Sequence, residues 1–346
     1  MALFWFWAIA SMLAAYAILD GFDIGAGIVH LVVARTEAER RSVLHSIGPV
    51  WDGNEVWLVA GGGAIFLAFP TLYASSFSGF YLPLMIVLWL LILRGISIEF
   101  RDHIDSPVWA PLWDVIFASA SGALAGFYGA AIGNIVRGVP LDSTHFFFLP
   151  LWTDFRIGKS VGILDWFTIM VGLGTFFAAG EHGALWVAMK TEGELEKRCR
   201  RLANVGWWAV LLFTALVAVI SPLVQPHLPD RITHHAWGCV FPAGAIAGLF
   251  GMRYFNRSTT GRRAFVCSCL YVLGLVGSIA FGLCPYVLPC NTDPSLGLTI
   301  YNAAAPPNSL KIGLAWFIPG VILATAYLFV VYRSFAGKVR PDDQGY

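Results

Sequence analysis

The run Leu82-Pro83-Leu84-Met85-Ile86-Val87-Leu88-Trp89-Leu90-Leu91-Ile92-Leu93-Arg94 sets twelve uncharged, nearly all apolar residues ahead of a single arginine. It lies within a longer stretch, 77–100, that is apolar on every helical face and shows no period-two alternation. A helix in a soluble bundle has one apolar stripe, whereas a helix that crosses the roughly 30 Å hydrocarbon layer needs about 20 residues of this kind. Lipid offers no hydrogen-bond partner to backbone amides, so such segments are helices or closed barrels, and only helices suit this pattern.

Outward from 77–100, comparable runs cover 2–33, 47–72, 113–136, 161–189, 202–224, 233–254, 263–287 and 309–332. The reading is an all-α polytopic membrane protein of about nine transmembrane helices. Composition agrees: of 346 residues, 58% are hydrophobic and 12% charged, against roughly 25% charged in a soluble domain. A net charge of +1 without any basic run excludes nucleic acid as a partner, because binding it requires several phosphates to be neutralised. The apolar start at Met1 lacks a basic n-region and a small-residue cleavage site, so the first segment is expected to stay as a helix. Cys199, Cys239, Cys267, Cys269, Cys284 and Cys290 read mainly as packing residues, with a pairing of Cys284 and Cys290 left open.

Positive charge marks cytoplasmic loops. Arg35, Arg40, Arg41, Arg94, Arg101, Lys190, Lys197, Arg198, Arg200, Arg201, Arg253, Arg257, Arg262, Arg263, Arg333, Lys338 and Arg340 put 17 of the 22 basic residues on one side. Arg137, Arg156, Lys159, Arg231 and Lys311 fall on the other, so the N-terminus is expected outside and the C-terminus inside. A faint repeat relates the end of the first span, with Arg35-Thr36-Glu37-Ala38-Glu39, to the end of the fifth. There Gly180-Glu181-His182-Gly183 precedes Lys190-Thr191-Glu192-Gly193-Glu194. This divides the chain into a four-helix bundle over 1–140, a second over 141–290, and an outer loop, peripheral helix and tail over 291–346.

Charges at membrane depth cost roughly 2.5–3.5 kcal/mol each, so each needs a partner, a cavity or a task. Asp20, Asp23, Gly27 and His30 share one helical face, and so do Asp52 and Glu55 in Trp51-Asp52-Gly53-Asn54-Glu55-Val56-Trp57. Gly61-Gly62-Gly63 then lets another helix come close. For Asp23, Glu55 and His30, solvation beside Arg35, Arg40 and Arg41 competes evenly with a functional role. Asp20 and Asp52, each next to a glycine among large apolar residues, are the better proton-relay candidates. Arg94 either binds a carboxylate or snorkels, and the sequence alone favours snorkelling. Glu99, Arg101, Asp102, His103 and Asp105 read as a solvated loop. Asp114, Asn134 and Arg137 are left unassigned, and Glu181 and His182 suit a proton path, a lipid pocket or a structural pair. No histidine pair repeats on one helix at haem-stacking distance, and nucleotide-loop, HExxH and CxxCH signatures are missing, so no cofactor or metal site is expected here.

Three blocks carry a specific likeness: Asp20-Gly21-Phe22-Asp23-Ile24-Gly25, Gly48-Pro49-Val50-Trp51-Asp52-Gly53-Asn54-Glu55-Val56-Trp57-Leu58, and Phe77-Ser78-Gly79-Phe80-Tyr81. With them go the stretch from Arg94 to Arg101, Gly133-Asn134 with Gly138-Val139-Pro140, Thr191-Glu192-Gly193-Glu194-Leu195 and the 285–298 loop. Nearly end to end, the chain resembles subunit II of cytochrome bd-type quinol oxidases, a family with a cyanide-insensitive branch. The resemblance implies two four-helix bundles plus one helix in a bacterial inner membrane. It also implies a homologous subunit I that carries b- and d-type haems and oxidises quinol, with a small accessory subunit and membrane lipids as further partners. Dioxygen would be reduced to water with cytoplasmic protons. By position Asp52 would be the entry or relay carboxylate and Asp20 and Arg94 its support; Asp23 and Glu55 complete the candidate set, and Glu55 stands where relatives also carry an amide. A quinone or lipid tail would find room on the apolar surface. The rival reading is a proton-coupled transporter that uses the same acids.

Overall fold

The structure is a computed structural model and describes residues 1–158, 161–257 and 261–339. Lys159 and Arg340 of the charge asymmetry lie outside the described residues. Helix α1 (Ala2–Val33) ends at Ala34, where the backbone becomes extended. Thr36 then caps α2 (Glu37–Ile47): its hydroxyl accepts from the Glu39 amide while the Glu39 carboxylate accepts from the Thr36 amide. The single span predicted over 47–72 is divided. Helix α3 (Trp51–Ala68) stops at Phe69 because Pro70 disfavours helical backbone before it, and α4 (Pro70–Gly79) begins with that proline.

Helices α5 (Tyr81–Phe100) and α6 (Trp109–Arg137) follow. The start predicted at 161 moves to α7 (Trp166–Lys190), since the Asp165 carboxylate accepts from the Phe167 and Thr168 amides and sets the first turn there. After α8 (Gly193–Val224) come a short α9 (His227–His234), α10 (Val240–Asn256), α11 (Gly261–Leu283) and α12 (Pro307–Ser334). The 285–298 loop holds a small antiparallel pair, β1 (Tyr286–Leu288) with β2 (Leu298–Thr299).

Among the described residues, seven helical segments are long and apolar enough to cross a membrane: α1, α5, α6, α8, α11, α12 and Ala236–Asn256, which contains α10. The chain is therefore a polytopic helical membrane protein. Helices α3 and α7 fall outside that set because the polar residues Asp52, Asn54 and Glu55 of α3 and Glu181 and His182 of α7 lower their apolarity.

Helix α1 is the hub, packing on α3, α6, α7 and α11, while α12 lies on α3. Its crossing with α7 is backbone on backbone: a Cβ on Gly25 would stand 2.0 Å from the Ala179 carbonyl oxygen, and one on Gly183 2.1 Å from the Gly25 carbonyl carbon. Phe22 stacks on Trp186 beside this point, with ring centroids 3.9 Å apart. One apolar core joins α1, α2, α7, α8, α10 and α11; a second gathers Trp5, Phe69, Leu141, Leu149, Leu288 and Leu298 under the 138–165 and 284–306 loops. The triple glycine of α3 meets the expectation at its first member only: a Cβ on Gly61 would stand 3.4 Å from Leu13 of α1, whereas one on Gly62 or Gly63 would meet nothing within 4 Å. All six cysteines are free thiols, Cys284 and Cys290 included.

Candidate functional site

Three helices bring their polar residues to one point. Asp20 and Asp23 sit one turn apart on α1, Asn54 and Glu55 open α3, and Arg94 projects from the apolar length of α5. Arg94 is fully buried; its Nη1 donates to Asp20 Oδ1 at 2.6 Å and its Nη2 to Glu55 Oε1 at 2.5 Å. This corrects the snorkelling expected from the sequence, because two carboxylates stand within reach and a guanidinium can serve both with separate donors. Asn54 Nδ2 donates to Asp23 Oδ2 at 2.7 Å, and Asn54 Oδ1 accepts from the Tyr332 hydroxyl of α12 at 2.9 Å. Asp20 Oδ2, Asp23 Oδ1 and Arg94 Nε are buried without a partner.

The predicted site residues thus separate. Asp20, Asp23, Glu55 and Arg94 form one buried cluster, with Glu55 a quarter exposed at its edge. Asp52 stands apart: it lies in the first turn of α3, on the open flank of the chain, and is exposed instead of surrounded by apolar groups. Sequence reasoning assigned no role to Asn54, although it lay inside the quoted block. Nothing in the sequence pointed to Tyr332, or to the Tyr16–Tyr128 hydroxyl pair (2.8 Å) between α1 and α6.

A second cluster corrects one further expectation, that of Arg101, and decides between the two readings left open for His30. Asp114 of α6 is buried and accepts from Arg101 Nε at 2.7 Å and Arg40 Nη1 at 3.1 Å, with His30 Nε2 at 2.7 Å. Arg101 also donates to both oxygens of Glu37, at 2.8 and 2.9 Å. Arg101 is therefore no part of a solvated loop, and His30 is no solvated helix end: the turn from α5 into α6 folds both onto Asp114. At the other end of α6, Arg137 pairs with Asp165 and donates to Asn134 Oδ1 at 2.7 Å.

The Arg101 guanidinium holds the half-exposed Glu37 carboxyl below the ordinary glutamate range. A depressed folded value means stability that is present above the unfolded range and lost as pH falls through the folded value. Wild type is therefore expected to lose thermal stability on acidification from the ordinary glutamate range downward. A Glu37→Gln variant should have a flatter pH profile there; parallel profiles in a melting series would remove Glu37 from the account.

Fold and site together define a helical membrane protein with acids and arginines paired in its interior. Residues 1–335 match the family described as cytochrome bd terminal oxidase subunit II, and the chain belongs to that family. It is 32% identical to "Cytochrome bd ubiquinol oxidase subunit 2" of Bacillus subtilis, with 97% of each chain covered. It is 27% identical to "Cytochrome bd-I ubiquinol oxidase subunit 2" of Escherichia coli K12, over 98% of this chain and 95% of that one. A chain of the bd oxidase structure from Geobacillus thermodenitrificans shares the fold, with a TM-score of 0.73 at 18% identity over 97% of this chain and 98% of that one.

Of the two buried histidines among the described residues, His182 has no nitrogen left for a haem of the kind this family implies for the complex. It engages Ser268 Oγ through Nδ1 (2.7 Å) and the Ile18 carbonyl through Nε2 (2.9 Å), whereas His30 has its Nε2 held by Asp114 and its Nδ1 buried without a partner. Among the described residues no three His, Cys, Asp or Glu side chains converge as a metal site would require.

Proposed function

We propose that this chain is the non-haem subunit of a terminal quinol oxidase that reduces dioxygen to water. In this reading it assembles with a haem-bearing subunit I and supplies part of the route by which cytoplasmic protons reach it. The partner's haems would supply the electron transfer. The residues of this chain hold and pass protons.

The observation that carries the proposal is the charge balance of the buried cluster. Three carboxyls, Asp20, Asp23 and Glu55, surround one guanidinium, Arg94, so the group approaches neutrality only by holding protons. Glu55 reaches from the exposed flank inward, and Asp52 stands one turn before it at the surface. A proton taken up at Asp52 would pass to Glu55, and Arg94 would keep the next acceptor, Asp20, within reach. The partnerless Asp20 Oδ2 and Asp23 Oδ1 are the atoms free to take it onward. The exposed apolar flank beside Asp52, with Val56, Val59 and Phe66 and the open glycines, is where subunit I would dock.

The same reading counts α3, with α4 extending it, and α7 as spans, giving nine. An odd number puts the N-terminus outside and the basic C-terminal side in the cytoplasm of a bacterial inner membrane. It groups the helices as bundles over 1–140 and 141–290, with 291–346 peripheral. A groove of about 410 Å³ between α1, α3 and α12, walled by Trp5, Trp57, Trp316 and Phe317, has the size and apolarity for a quinone or lipid tail. A small accessory subunit belongs to the same proposal.

Asp52→Asn and Asp20→Asn are expected to slow quinol-driven oxygen consumption of the assembled complex about tenfold, some 1.4 kcal/mol on the barrier, with its haem absorption spectrum unchanged. Full turnover in both variants would reject the proton route.

A further inference from the structure

Five carboxyl side chains are buried among the described residues: Asp20, Asp23, Asp114, Asp165 and Glu181. The first four have partners. Asp20 pairs with Arg94, Asp23 accepts from Asn54, Asp114 is held by Arg101 and Arg40, and Asp165 binds Arg137 and caps α7. Glu181 differs. It is 5% exposed, midway along α7, it forms no ion pair, and its Oε2 is buried with no partner. An ionised carboxylate left alone in hydrocarbon costs several kcal/mol or more, so an acid at this position is kept as the neutral form or exchanges its proton.

Its surroundings favour exchange. His182, the next residue, turns toward α1 and α11, where both its nitrogens are engaged. From α11, Tyr271 offers a phenol already bonded to Thr214 of α8 at 2.6 Å. From α10, Arg253 is the cation whose field reaches Glu181. Arg253 lies 4.4 Å from the Trp207 ring centroid and 4.8 Å from that of Trp208, and donates to the Asn204 carbonyl at 3.0 Å. Asn204 in turn lines a surface groove of about 460 Å³ with Arg200, Arg201 and Trp208, and its own Oδ1 is buried without a partner. A basic groove open at the surface, an unsatisfied amide oxygen and an arginine thus lead toward a lone carboxyl.

We propose that Glu181 is a second proton-exchanging group of this protein, separate from the Arg94 cluster and supplied through the groove at Asn204 and Arg253. On this reading the α7–α11 half of the chain holds a proton of its own as well as packing against the first half.

Infrared difference spectra of the purified, fully assembled protein test this in H₂O and D₂O. One protonated-carboxyl component that shifts in D₂O is expected in wild type and in Asp20→Asn and is expected to be missing from Glu181→Gln, where the components of the Arg94 cluster remain. Asn204→Leu should keep the band and slow its deuterium exchange about tenfold. A Glu181→Gln spectrum that has lost no component relative to wild type, or a Glu181 component that never exchanges, overturns the proposal, and an unchanged exchange rate in Asn204→Leu overturns the groove as the entry.

Should Glu181→Gln fail to accumulate, dicyclohexylcarbodiimide on the wild-type protein decides. A neutral acid adds across one N=C bond, its proton going to nitrogen, and acyl transfer from oxygen to nitrogen leaves an N-acylurea that peptide mass mapping locates. Label on Glu181 supports the proposal, and an unlabelled Glu181 overturns it. None of these readouts passes through Asp52, Glu55 or Arg94, so either assignment can fail while the other stands.

Discussion

Arg94→Met is expected to destabilise the protein by about 3–5 kcal/mol, the range for removing one member of a buried ion pair and leaving the other charged and alone. The figure applies here because Arg94 and Asp20 are both wholly buried and Arg94 also holds Glu55. The measurement is the temperature at which the detergent-solubilised complex loses its fold, together with the yield from membranes. Arg94→Lys should recover part of the loss, since an ammonium keeps the charge but lacks the planar fork that reaches two helices at once. Combining Arg94→Met with Asp20→Asn should cost less than the sum of the two, because the orphaned acid is then neutral. Strict additivity would mean that the two side chains do not support each other.

Gly25→Leu is expected to abolish the folded protein. Ordinary overpacking costs about 1–3 kcal/mol because neighbouring side chains shift. At this crossing the neighbours are backbone atoms of α7, at 2.0 Å from Ala179 O and 2.6 Å from Gly183 N, and the only relief is to separate two helices along their length. Protease resistance in membranes measures the outcome, with Gly206→Ala as the comparison. Nothing lies within 4 Å of a Cβ there, so its stability should stay within about 0.5 kcal/mol of wild type. A stably folded Gly25→Leu protein would show that the crossing is looser than the structure has it.

The helical membrane class was legible from residues 77–100 onward, because all-round apolarity needs no tertiary information. The polar partnerships were not. Arg94 read as a snorkelling residue since its acids lie on α1 and α3, 74 and 39 positions away in sequence, and spacing along one helix carries no trace of them. Arg101 was misread, and His30 left undecided, for the same reason: Asp114, which draws both inward, is on a third helix. The local chemistry of α3 was read correctly as far as Asp52 and Glu55 sharing a face, yet burial splits them, because a helix's first turn can be open while its second is closed in. Asp165 and Pro70 moved two helix boundaries through capping and backbone sterics, which a search for apolar runs passes over. Asn54 was visible in the sequence but silent, since an amide gains its meaning only from the Asp23 and Tyr332 groups on either side.

The Arg94 pairings also bear on how the chain is made. Synthesis delivers α1 and α3 to the bilayer before α5, so Asp20 and Glu55 are already in place when Arg94 emerges from the ribosome. Inserted alone, that arginine would resist partition from the translocon by roughly 2.5–3.5 kcal/mol. Chain order thus places the helix that is hardest to insert alone after the two whose acids pair with its arginine in the folded protein.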